Sequence, residues 1–105
     1  MCIRDSYEAA RIAVNAVDRE LEMIIEKAKE DDYAIVLTSD HGNCEEMCDA
    51  QGHILTNHTV GEVWCFVLAD GVTKVKEGCG LNNVAPTVLK LMGLEIPEEM
   101  DEALI

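Results

Sequence analysis

Residues 34–43 read Ala34-Ile35-Val36-Leu37-Thr38-Ser39-Asp40-His41-Gly42-Asn43, a short apolar run that breaks abruptly into polar residues. The run from Ala34 to Ser39 has the length and β-branched content of a strand, and its continuous apolar character is that of a strand covered on both faces. Where it ends, an acid and an imidazole stand side by side. In open α/β sheets the carboxyl ends of strands are where ligands collect, because the turn there opens side chains and backbone onto one crevice. Gly42 lets the chain turn sharply just beyond them.

Upstream, from Tyr7 to about Glu30, the residues Ala10, Ala13, Val14, Val17, Leu21, Ile24 and Ala28 recur at three- and four-residue steps. That spacing predicts one apolar face of a helix, with Arg11, Asp18, Arg19, Glu22, Glu26 and Lys29 on a solvated face and Asp31-Asp32 at its end. Downstream, a polar stretch from Asp40 to Gly61 carries all three histidines, His41, His53 and His58. Loops that long are commonly functional or disordered. Val63-Trp64-Cys65-Phe66-Val67-Leu68-Ala69 predicts a second strand closed by Asp70-Gly71, and Val72 to Gly80 reads as turns with a short edge strand at most. Asn82 or Asn83 is placed to cap a second helix with Pro86 in its first turn, Val84, Val88, Leu91 and Met92 on one face, and Gly93 as its stop. The tail from Glu95 to Ile105 holds five acidic residues and no basic one, and is expected to lie on the surface.

The chain has 105 residues, with 8 Lys plus Arg against 21 Asp plus Glu, for a net charge of −13. This acidity argues against a nucleic-acid partner, because neutralising phosphates needs surplus cations. An anionic substrate would be repelled unless metal ions reversed the local field. No apolar run approaches the roughly 20 residues of a membrane-spanning helix, and the first six residues lack the apolar core of a secretory signal, so the expectation is no membrane association and a cytoplasmic location. The five cysteines, an odd number at irregular spacing, do not read as a disulfide framework. Cys65 reads as a small core residue, and Cys44 and Cys48, lacking a second cysteine pair for a zinc site, read as thiols of a reducing compartment.

Two strands apolar on both faces need flanking strands and covering helices, yet only two helices are evident. The chain therefore reads as part of a larger α/β domain with an incomplete sheet. A carboxylate and a neutral imidazole are both ligands for Zn²⁺ or Mn²⁺, and the Asp40-His41 pair reaches one ion if the backbone twists at the strand end. The plainer alternative is an Asp that orients a His or caps a turn. His58, in Thr56-Asn57-His58-Thr59 just ahead of the second strand, is a candidate for the same crevice, whereas His53 reads as a loop histidine without a role.

Tyr7 to Asp18, Leu37 to Asn43, Glu46-Met47, Thr56-Asn57-His58-Thr59, Ala85-Pro86-Thr87 through Leu91-Met92-Gly93, and Ile96-Pro97-Glu98-Glu99-Met100 together resemble the C-terminal end of the cofactor-independent (2,3-bisphosphoglycerate-independent) phosphoglycerate mutase family. The resemblance spans about residues 7–105. Asp-His-Gly-Asn alone would indicate only the wider alkaline-phosphatase-like superfamily; the closing motifs narrow it to the mutases. What this implies is the C-terminal part of an α/β/α sandwich, belonging to a glycolytic isomerase that interconverts 2- and 3-phosphoglycerate through a phosphoserine intermediate. It also implies two Mn²⁺ ions per intact enzyme, a small phosphorylated substrate, and a parent that is a monomer. By match, Asp40 and His41 hold one metal and His58 the other.

The family's upstream Asp and His ligands sit in a Gly-His-Thr-Gly type segment just before the position of Tyr7. Met1-Cys2-Ile3-Arg4-Asp5-Ser6 stands there instead and reads as a foreign N-terminus. Leu55 occupies the place of a second histidine common before His58, and Glu62 and Trp64 replace prolines. The nucleophilic serine falls outside the chain, so no catalytic residue is assigned within it and the isolated polypeptide is expected to be inactive. The alternatives are another phosphomutase or phosphatase of the same superfamily, or a small acidic metal-binding or interaction module complete at this length.

Overall fold

The structure, a computed structural model, describes residues 3–42 and 62–105. The elements in chain order are helix α1 (Ile3–Glu30), strand β1 (Ile35–Thr38), strand β2 (Cys65–Leu68), a short 3-10 turn (Leu81–Asn83) and helix α2 (Val84–Leu91). This is an α/β unit with an incomplete sheet, as the sequence implied.

Helix α1 begins at Ile3, ahead of the Tyr7 start that periodicity suggested. Its end follows from local chemistry. Asp32 takes a left-handed conformation (φ 62°), which a short polar side chain tolerates. The Tyr33 N–H then reaches the Ala28 carbonyl at 2.8 Å and the Asp32 N–H reaches Lys29 at 3.1 Å, satisfying carbonyls of the last turn. Lys27 and Lys29 complement the negative end of the helix dipole. The expected apolar face is only partly covered. Ala10, Leu21 and Ala28 are half-buried together with Ile25, but Val14, Val17 and Ile24 are exposed, Val17 at 64%.

β1 and β2 pair antiparallel, with Ile35 opposite Leu68, Val36 opposite Val67, Leu37 opposite Phe66 and Thr38 opposite Cys65. Because side chains alternate across a sheet, Ile35, Leu37, Phe66 and Leu68 share one face and Val36, Thr38, Cys65 and Val67 the other. The expectation of strands buried on both faces is not met within this chain: every β1 residue is half-buried, while Phe66 and Leu68 are exposed. Trp64, also exposed, stacks beside Phe66 with ring centroids 6.4 Å apart. Cys65 is half-buried rather than a core residue.

The segment after β2 has no further strand among the described residues; Val72 to Gly80 is irregular. In α2 the stop at Gly93 is as expected: its φ is 73°, its N–H reaches Lys90 O at 3.0 Å, and the Leu94 N–H reaches Leu89 O at 2.9 Å. The N-terminus differs. Asn83 is the N-cap, but its side chain does not cap α2. Its Oδ1 accepts the Gly80 N–H at 2.8 Å, and its Nδ2 donates to Glu102 O at 2.9 Å.

Two sequence expectations fail in this region, and for one reason. The fully buried residues of α2 are Pro86 and Thr87, while of the expected face Val84 and Leu91 are half-buried and Val88 and Met92 are exposed. The acidic tail is not wholly a surface segment, since Ala103 (4% exposed) and Leu104 (5%) are the buried hydrophobic residues among those described. Thr87 explains both. Its hydroxyl donates to Asn83 O at 2.6 Å and accepts the Leu104 N–H at 2.8 Å, so a fully buried polar group has both of its roles filled. Leu104 O in turn accepts the Lys76 N–H at 2.8 Å, and Lys90 Nζ donates to Ile105 O at 2.7 Å. The tail is stitched between α2 and the strandless segment.

Candidate metal centre

Thr38 is the last residue of β1, and its hydroxyl donates to Trp64 O at 2.9 Å, tying the strand end to the approach of β2. Ser39 follows, and its Oγ donates to His41 O at 2.6 Å. Asp40 and His41 stand at the turn these two bonds frame. Asp40 Oδ1 and His41 Nε2 are 3.6 Å apart. Asp40 is open to solvent, with its side chain 84% exposed, while His41 is partly buried.

The ring of His41 is oriented by backbone. Nδ1 lies 2.9 Å from Gly42 O, and because a carbonyl can only accept, this contact is a hydrogen bond when Nδ1 carries the proton; in the neutral ring that leaves Nε2, on the Asp40 side, as the nitrogen able to ligate. That is the tautomer a metal-binding imidazole adopts when its other nitrogen donates to a carbonyl. The spacing fits too. Two donors each about 2.1 Å from one tetrahedral ion lie about 3.4 Å apart, close to the separation found here.

Asp40 borders an open cleft of about 720 Å³ whose lining includes Thr38, Glu62, Cys65, Lys76 and Cys79. His41 borders a smaller hollow of about 170 Å³ beside Leu37, Trp64 and Phe66. Lys76, the cation among the described residues lining the larger cleft, is held by Glu102 at 3.3 Å. Among the described residues no group of three or more His, Cys, Asp or Glu side chains gathers around a common point. His58, His53, Cys44 and Cys48 lie outside the described residues, so the expected convergence of His58 on the pair is not part of this geometry. Sequence reasoning treated Thr38 and Ser39 only as the run-up to the acid. The available signal was a pair of hydroxyl residues at a strand end, which commonly bond to nearby backbone in turns.

A strand ending in an Asp-His pair, with the two donor atoms 3.6 Å apart, agrees with the comparison of this chain with protein families. The chain belongs to the metalloenzyme superfamily, whose model matches residues 4–96. That membership carries metal dependence as a class property. Among individual proteins, the chain is 68% identical over 100 residues to the 2,3-bisphosphoglycerate-independent phosphoglycerate mutase of Sulfurimonas denitrificans. It is 67% identical over 97 residues to that of Wolinella succinogenes and 66% over 99 residues to that of Aliarcobacter butzleri. These matches cover 95%, 92% and 94% of the chain but 20% of each relative, so the chain spans about a fifth of the length of the curated relatives it matches. No described helix is long and apolar enough to cross a membrane.

Proposed function

We propose that the chain is the C-terminal part of the metal-bearing domain of an isomerase that interconverts 2- and 3-phosphoglycerate through a phosphoserine intermediate, and that Asp40, His41 and His58 are its contribution to a two-Mn²⁺ centre. The observation that carries this reading is the 3.6 Å approach of Asp40 Oδ1 to His41 Nε2 at the end of β1. The high identity to the mutases named above supports the substrate class. The parent works in the cytoplasm as a monomer on a small phosphorylated substrate, and Met1 to Ser6 are foreign to it.

Ions held by Asp40, His41 and His58 would supply Lewis-acid chemistry, lowering the proton affinity of a serine nucleophile and offsetting phosphoryl charge. The chain's own residues prepare that environment. Asp40 supplies a carboxylate, a hard anionic ligand suited to Mn²⁺. His41 supplies an imidazole whose orientation is set by the Gly42 carbonyl. The net charge of −13 leaves cation supply to the metals and to residues elsewhere in the parent.

The test is a chimera in which this chain replaces the matching fifth of the Sulfurimonas relative. It is expected to turn over 3-phosphoglycerate in the presence of Mn²⁺, and Asp40→Asn or His41→Asn is expected to lower turnover by orders of magnitude. A chimera that keeps full activity with both substitutions would refute the ligand assignment. The isolated 105-residue chain is expected to give no turnover above background under the same conditions.

A further inference from the structure

We propose that Ser39 is a positioning residue that turns Asp40 and His41 toward one divalent cation, an inference that rests on the metal-centre reading above. Successive side chains on an extended strand point to opposite faces. If β1 continued through Asp40 and His41, its geometry would throw the carboxylate and the imidazole to opposite sides of the sheet. Instead β1 ends at Thr38, and the two donor atoms lie 3.6 Å apart. The backbone must therefore bend between Ser39 and His41, and the Ser39 hydroxyl spans that interval. Its Oγ–H closes onto His41 O at 2.6 Å, bridging across Asp40.

Two further bonds fix the ends of the bend. Thr38 Oγ1 donates to Trp64 O and anchors its base to the neighbouring strand. His41 Nδ1–H donates to Gly42 O and holds the ring at its tip. The Ser39 bond goes to the backbone of His41 and not to its ring or to the Asp40 carboxylate, so the serine acts through the ligands. The bond needs a hydroxyl at this position, which serine or threonine can supply.

The experiment compares the full 105-residue chain with its Ser39→Ala, Ser39→Thr and Thr87→Val variants by two readouts. The first is the ¹⁵N imidazole signature of His41 in metal-free chain, assigned by its loss in His41→Asn, which reports the tautomer. The second is Mn²⁺ affinity, read from the paramagnetic resonance of the free ion. Ser39→Ala is expected to mix the His41 tautomers and to weaken Mn²⁺ binding about tenfold. Ser39→Thr, which keeps the hydroxyl, is expected to restore both. Thr87→Val lowers stability at the junction of α2 with the tail without touching a bond of the turn and is expected to change neither readout, which separates positioning from general loosening. An unchanged His41 signature and unchanged Mn²⁺ affinity in Ser39→Ala would overturn the inference. If the unaltered chain takes up no Mn²⁺, because the remaining ligands of each ion lie outside it, the His41 signature alone decides whether Ser39 sets the pair, and the metal-centre reading is decided by the chimera above.

Discussion

The segment from Val72 to Ile105 and helix α1 use apolar residues in opposite ways. The C-terminal segment has few buried apolar groups, Pro86, Ala103 and Leu104, but hydrogen bonds surround them: Thr87 to Asn83 and Leu104, Asn83 to Gly80 and Glu102, and Lys76 to Leu104. Helix α1 has the longer amphipathic pattern, yet Val14, Val17, Met23 and Ile24 are exposed. Its described side-chain bonds are local pairs on its own surface, Arg11 with Glu8 and Lys27 with Asp31. Exposed pairs of this kind contribute little. Helical stability in proteins comes mainly from packing an apolar face. A helix with a good pattern and an open face is thus less secure than a short helix held by a satisfied polar cluster.

The sharpest test of this contrast is Leu104→Ala. Removing a buried leucine costs about 2–5 kcal/mol, and the loss should appear in amide exchange of α2 and of Lys76, while exchange in α1 is unaffected. Equal acceleration in both regions would mean that they unfold as one unit. A smaller effect, about 1–3 kcal/mol, is expected for Thr87→Val. That substitution keeps shape but leaves the buried Leu104 N–H without its acceptor, so the Leu104 amide should be the first to exchange. At the low end, Val17→Ala should change stability by no more than about 0.5 kcal/mol, because the side chain is mostly in solvent and alanine favours helix. A loss of 1 kcal/mol or more, on the order of a buried methyl deletion, would show by denaturant titration that the α1 face is covered in solution, and the contrast would fail.

The C-terminal segment is also where sequence reasoning did worst. Glu95 to Ile105 reads as an acidic exterior because charge density dominates a short window, and nothing periodic marks Ala103 and Leu104 as buried. Their burial depends on the Thr87 hydroxyl and the Asn83 amide, which lie 16 and 20 positions before Ala103 in the chain. The apolar face assigned to α2 was legible as a pattern, but which part of the helix surface is covered depends on where the tail crosses it. Polar residues at such crossings are easily mistaken for solvent-facing ones, since hydroxyls and amides carry no periodic apolar signal.

What the sequence settled without help were local matters. The two strands, the stop at Gly93 and the helix end at Asp31-Asp32 all follow from short-range propensity and turn geometry. Tertiary structure alone decided three others: the antiparallel register of β1 with β2, the burial of the tail, and the approach of Asp40 to His41 under the bond from Ser39. Each depends on backbone groups meeting across space or bending out of extended geometry, and a linear pattern of residue types does not encode where those groups come to rest.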